Sequence, residues 1–116
     1  MQYALLIYSD ESTSETERAS MLQEYAKLTG DLRGEGKLLA AQELQPTATA
    51  TTVQVRDGDA IVSDGPFAET KEALGGFYLI EADSLDEAIE WAGHIPSARF
   101  GTIEVRPVVA RSGNGA

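Results

Sequence analysis

The chain has 116 residues, 42% of them apolar, no cysteine and a formal net charge of −10. That length suits one domain with one modest core, and the apolar content is that of a globular chain rather than a disordered one. The absence of cysteine excludes disulfides, thiolate metal sites and a cysteine nucleophile.

A strongly acidic surface repels a phosphate backbone, so no nucleic-acid partner is expected. The acidity reads as solubility, or as attraction for cations. No apolar run reaches the roughly 18 residues that a membrane span needs, so no membrane partner is expected either. Residues 1–8 are apolar but carry neither a basic leader nor a small-residue cleavage site. They read as a strand rather than a signal peptide, and a cytoplasmic protein is expected.

In chain order, residues 3–8 form a short apolar run of the kind covered on both faces. Residues 9–14 are polar and acidic and read as a loop. Thr13 or Ser14 is placed to cap a helix, with Glu17 completing a capping box after Ser14. Met21, Leu22, Tyr25, Ala26, Leu28 and Leu32 then recur at helical spacing and predict one apolar face over about five turns. Gly34 and Gly36 end that helix.

Residues 37–44 read as a second strand, and Gln45-Pro46-Thr47 turns away from it. Residues 50–56 alternate and are rich in Thr and Val, Asp57-Gly58 signals a hairpin turn, and residues 60–63 return. Residues 76–82 predict a further strand, with Phe77, Leu79 and Glu81 on one face and Tyr78, Ile80 and Ala82 on the other. Ser84 and Glu87 form a capping box for a second helix, whose buried face is Leu85, Ala88, Ile89 and Ala92. Gly93 and Pro96 end it. Residues 102–109 are the last strand, with Pro107 marking an edge or an end. The single domain closes near residue 110, and residues 111–116 are a flexible polar tail.

This order is strand, helix, strand, inserted hairpin, strand, helix, strand. Without the hairpin it is βαββαβ, an α+β ferredoxin-like arrangement with two helices on one face of an antiparallel sheet. The strands are apolar on both sides, so the other face needs a cover. A second copy of the sheet supplies one, and a symmetric homodimer is expected.

The segment Asp64-Gly65-Pro66-Phe67-Ala68-Glu69-Thr70-Lys71-Glu72 concentrates the chemistry. Gly65 and Pro66 are turn formers. Asp64 is either a general base or ligand anchor, or an aspartate that bonds its own backbone and fixes the turn. Phe67 stacks on a flat ligand, or plugs the core or a dimer seam. Glu69 and Glu72 share a side if the segment makes a helical turn. As a pair they suit binding a metal or sharing acid–base work, or they form a solvated charge cluster with Lys71. Lys71 also suits anchoring an anion. Tyr8 and Tyr78 lie on strands, from which a hydroxyl can reach a cleft, and Arg99 suits a carboxylate or an intersubunit bridge. His94 is placed at a helix C-terminus, where its cation meets the dipole favourably. Trp91 reads as half-buried packing. No phosphate loop, zinc motif or nucleophile elbow is present, so no cofactor and no metal are expected.

The run DGPFAETKE, with GGFYLIEADSLDEAIEWA after it, LQPTATATTVQVRDG before it and a closing IPSARFGTIEVRPV, resembles the YCII-related family. More narrowly it resembles the branch named for the Asp-Gly-Pro-Phe motif, here Asp64 to Phe67. The resemblance covers about residues 1–110. It implies a dimeric α+β barrel of ferredoxin-like protomers. Some members are encoded beside extracytoplasmic-function sigma factors. A distant relative is a dehydrochlorinase acting on a chlorinated hydroxyquinol.

Sites in the wider superfamily pair a histidine with an aspartate. Asp64 matches the aspartate, but the sole histidine, His94, does not match the dyad position. Two functions follow as expectations. One is acid–base chemistry of lyase or isomerase type on a small molecule, with Asp64, Lys71 and Tyr78 as catalytic residues and Phe67, Glu69, Glu72, Tyr8 and Arg99 binding the ligand. The other is a non-catalytic module that binds a ligand or a protein partner in stress-linked regulation.

Overall fold

The protein was analysed as a computed structural model, which describes residues 1–12 and 15–111. The elements are β1 (Gln2–Ser9), α1 (Glu15–Gly34), β2 (Leu38–Glu43), β3 (Thr51–Arg56), β4 (Asp59–Asp64), β5 (Ala73–Glu81), α2 (Leu85–Gly93) and β6 (Thr102–Pro107). Short 3-10 turns at Thr47–Thr49 and Pro96–Arg99 link β2 to β3 and α2 to β6. Among the described residues no helix is long and apolar enough to cross a membrane.

Four strands form one sheet in the order β2-β5-β1-β6, with every neighbouring pair antiparallel. The two strands that precede helices lie elsewhere than side by side in sequence, yet β5 and β1 share the centre of the sheet. With two helices this is an α+β architecture compatible with a ferredoxin-like fold. β3 and β4 pair with each other in a separate two-stranded sheet, from Thr51 opposite Asp64 to Arg56 opposite Asp59. Asp57 and Gly58 take the positive φ values that a tight hairpin turn demands.

Alternation along the strands decides where the core sits. Tyr3, Leu5 and Ile7 of β1, together with Tyr78 and Ile80 of β5 and Ala82 just beyond it, are buried against Leu28 and Leu32 of α1 and Ala88 and Ala92 of α2. Ile95 closes this cluster. Ile103 and Val105 of the edge strand β6 pack on the same side. The intervening positions, Ala4, Leu6, Tyr8, Phe77 and Leu79, belong to the opposite face and are only half-buried.

Local chemistry sets the helix ends. At the end of α1, Gly36 has φ +70° and donates to the Arg33 carbonyl at 3.1 Å, while Lys37 donates to the Leu32 carbonyl at 2.9 Å. This is a Schellman ending, so Gly36 terminates the helix while Gly34 stays inside it. At the start of α2, Ser84 accepts from the Glu87 amide at 3.1 Å, as the sequence predicts. The Glu87 carboxylate reaches back one residue further than a capping box requires, accepting from the Asp83 amide at 2.8 Å. The cap read at Thr13 or Ser14 lies outside the described residues.

Some expectations need correction. Leu22, 65% exposed, and Ala26 are not on the packed face of α1. Leu85 and Ile89 of α2 are also exposed, at 49% and 52%. The small Ala88 and Ala92 seat α2 against the core, and Ile89, about 100° further round the helix than Ala88, points away. β5 starts at Ala73, not at residue 76, because Gly75 and Gly76 lie inside the strand rather than before it. A Cβ at Gly76 would lie 2.8 Å from the Gln42 carbonyl oxygen, so the glycine permits close pairing with β2.

Gly101 makes the tightest approach. A Cβ there would collide with the Tyr8 carbonyl oxygen and come within 3.2 Å of both the Ser9 Cβ and the Ser97 carbonyl. Gly101→Ala is therefore expected to destabilise by about 1–3 kcal/mol as the β1–β6 seam shifts. Urea unfolding checks this; an unchanged midpoint would refute the close approach.

Candidate functional site

The loop of residues 65–72 joins β4 to β5 and is held at both ends. At its start Gly65, with φ +96°, donates its amide to the Ala50 carbonyl at 2.7 Å and accepts from the Thr52 hydroxyl at 2.8 Å. A side chain at that φ is strained, so the turn is suited to glycine. At its far end Glu72 Oε1 accepts from Thr102 Oγ1 at 2.8 Å, which ties the loop to β6.

The 3-10 turn before β3 flanks the loop and is held by Glu11. That carboxylate accepts from the Thr47 amide at 2.8 Å and the Thr47 hydroxyl at 2.5 Å, and these bonds hold its pKa below the usual range. Between turn and loop lies an open cavity of about 350 Å³ lined by Thr47, Ala48, Pro66, Ala68, Glu69 and Ala73.

The predicted site residues divide among three places. Asp64, Phe67, Glu69, Lys71 and Glu72 belong to the end of β4 and the loop. Asp64 is exposed and its carboxylate makes no hydrogen bond or ion pair among the described residues, so the self-bonded turn is not what it forms. Phe67 is 83% exposed and so does not plug the core of its own protomer. The loop contains no helical turn, so Glu69 and Glu72 are not a helix-borne pair. Glu72 turns to Thr102, and Glu69 lines the cavity.

Tyr8 lies on the open face of the sheet, where its hydroxyl donates to Glu104 Oε1 at 3.4 Å. Tyr78 lies on the helix-covered face instead. It is buried in the core, its hydroxyl shares a 2.9 Å hydrogen bond with Thr29 Oγ1, and burial raises its pKa. Its parity on β5, shared with Ile80, turns it under the helices, so it does not join Asp64 and Lys71 at the loop. Arg99 also lies on the helix side, bonded through Nη2 to Glu24 Oε2 at 2.7 Å.

The helix side holds a wider groove of about 740 Å³ between α1 and α2, lined in part by Glu24, Asp31, Glu90, Trp91, His94 and Arg99. His94 caps α2 there, donating its amide to the Trp91 carbonyl at 3.0 Å, whereas Asp64 is outside that groove. Among the described residues no group of three or more His, Asp or Glu side chains is arranged to hold a metal ion.

Comparison with known proteins agrees with this architecture. A family model described as the YCII-related domain matches residues 1–111. The chain belongs to the YCII-related family. A protein of Rhizobium meliloti (strain 1021), described as uncharacterized, is 42% identical over 114 residues, covering 93% of this chain and 92% of its own length.

Sequence reasoning treated Glu87 only as a cap. In the structure of this YCII-related protein it also accepts from Trp91 Nε1 at 3.1 Å and pairs with Lys37 Nζ at 3.0 Å. Three donors, the Asp83 amide first, pull its pKa down to about 2. The i, i+4 spacing of Glu87 and Trp91 was a usable signal, but Lys37 comes from a distant part of the chain. The folded-state pKa lies below the unfolded value, so the stabilisation is complete above about pH 4.5 and is lost as pH falls toward 2.

Glu87→Gln is expected to lower Tm at neutral pH and to shrink the further loss on acidification across that window, as a pair of melting curves would show. An acid limb identical to wild type would count against the network. Asp64→Asn, by contrast, is expected to change stability by no more than about 0.5 kcal/mol, because the carboxylate has no partner to lose. A large fall in the urea midpoint would return Asp64 to a structural role.

Proposed function

We propose that this YCII-related protein is a symmetric homodimer that binds a small aromatic or hydroxylated molecule at the Asp-Gly-Pro-Phe loop. One observation carries the reading: the sheet has a second apolar face, bearing Leu6, Phe77 and Leu79, that no helix of the protomer covers. A second copy of that face is its simplest cover, and an isologous pairing of sheets gives the dimeric α+β barrel that the family resemblance implies. The loop of residues 65–72 leads directly into β5, and this connection supports a position for it at the mouth of the space the pairing would enclose. Phe67 offers an aromatic surface there, and Glu69 and Thr70 offer polar contacts beside the cavity.

The chemistry within this reading is of acid–base type. Asp64 is the available base and Lys71 the available cation, and Tyr78 is replaced in the proposal by Tyr8 as the hydroxyl on the open face. The setting is the cytoplasm. The module that binds without turning anything over is the competing outcome, and the same assays separate the two.

Light scattering is expected to give twice the chain mass of 12.4 kDa. A thermal-shift panel of small aromatic acids and quinols is expected to raise Tm with the logarithm of ligand concentration, reaching about 2.7 kcal/mol of stabilisation at a hundredfold excess over Kd. Phe67→Ala is expected to weaken that shift. Asp64→Asn is expected to abolish turnover of whichever ligand reacts. A monomeric mass, or shifts that survive unchanged in Phe67→Ala, would sink the proposal, and binding without turnover would leave the binding module.

A further inference from the structure

The β3–β4 ribbon has an apolar face that stays exposed among the described residues. Residues of one parity, Thr51, Val53, Val55, Ala60, Val62 and Asp64, share one side, with Val53 opposite Val62 and Val55 opposite Ala60. Val53, Val55 and Val62 are exposed at 60%, 62% and 64%. The other side is the more polar and the less open: Thr52 and Gln54 are half-buried there, Thr52 bonds Gly65, and Ile61 is 47% exposed. The valine side is the more exposed of the two. A two-stranded ribbon is at best marginally stable alone, and a strand pattern with valine at every second position along β3 is that of a buried face.

We propose that this ribbon is a dimer arm whose Val53, Val55 and Val62 face is buried against a second copy of the chain. The inference rests on the homodimer proposed above and adds the element that completes it. Areas support the choice of occupant. The four strands, of eight, six, nine and six residues, present a footprint of roughly 460 Å², from a rise of about 3.3 Å per residue and a spacing of about 4.8 Å. A standard stable interface takes about 800 Å² from each partner. The ribbon adds roughly 190 Å² by the same spacings and makes up more than half of the shortfall.

Charge supports it as well. Each copy carries −10, so two copies approach best through faces poor in charge. The ribbon face bears a single charged residue, Asp64, at its end. Because the loop of Gly65 is bonded to the base of the ribbon, seating the arm would also fix Phe67 relative to the partner.

Neighbouring residues on opposite sides of β4 provide the test. Val62→Lys is expected to weaken the dimer at least about tenfold, by burying a charge in the seam. Ser63→Lys, the same charge on the other side, is expected to leave the dimer constant unchanged; sedimentation of both reads the two constants. Hydrogen exchange on the wild type is the second measurement and needs no variant to fold. Ribbon amides are expected to be protected in the dimer and to lose protection on dilution. A dimeric wild type with an unprotected ribbon, or with Val62→Lys no weaker than Ser63→Lys, overturns the arm and leaves the dimer standing. A monomeric wild type overturns both.

Discussion

Two helices cover one face of a four-stranded sheet, and the rest of the molecule is arranged around that one-sided cover. Successive side chains on a strand point to opposite faces, so each strand must divide its residues between a covered and an uncovered side. β1 assigns Tyr3, Leu5 and Ile7 to the helices and Ala4, Leu6 and Tyr8 to the other face. β5 does the same with Tyr78 and Ile80 against Phe77 and Leu79. A slip of one residue in pairing would exchange the two sets. The register of Leu5 with Tyr78 and with Val105 is thus what keeps one core intact.

Polar contacts then hold the elements that hydrophobic packing leaves loose. Glu87 joins α2 to Lys37 at the start of β2, Glu11 holds the turn before β3, and Glu72 holds the loop to β6. In each case a carboxylate gathers donors that are distant in sequence. The Glu11 and Glu72 bonds are solvent-accessible and individually modest in energy, whereas the Lys37 and Glu87 side chains are only 20% and 23% exposed. Their effect is positional: they decide where the loop of residues 65–72 sits while leaving Phe67 and Asp64 uncommitted.

Tyr78 shows how strand parity governs the composition of a site. It lies six residues after Glu72, a spacing that predicts a companion to the loop. Parity places it under α1, bonded to Thr29, with its hydroxyl already satisfied. Tyr8, also on a strand, falls on the open face. Arg99 is likewise removed from the loop, since the 3-10 turn after α2 brings it to Glu24. Strand parity turns Tyr78 into the core and the 3-10 turn directs Arg99 to Glu24, so neither joins the side chains of the loop.

The sequence by itself determined the element order, both helices, the hairpin turn at Asp57-Gly58, the Ser84 cap and the family. These rest on local periods, turn residues and contiguous motifs, which are written in consecutive residues. It also singled out the segment from Asp64 to Glu72 by its density of ionisable side chains. Tertiary structure alone decided which face of each strand met the helices, that Leu22, Leu85 and Ile89 remained outside the core, and that Gly75 and Gly76 lay within a strand. It alone paired Glu72 with Thr102 and Glu87 with Lys37. Those outcomes depend on how much surface two short helices can cover and on which distant donors packing brings within hydrogen-bond reach, and neither quantity is local to any stretch of the chain.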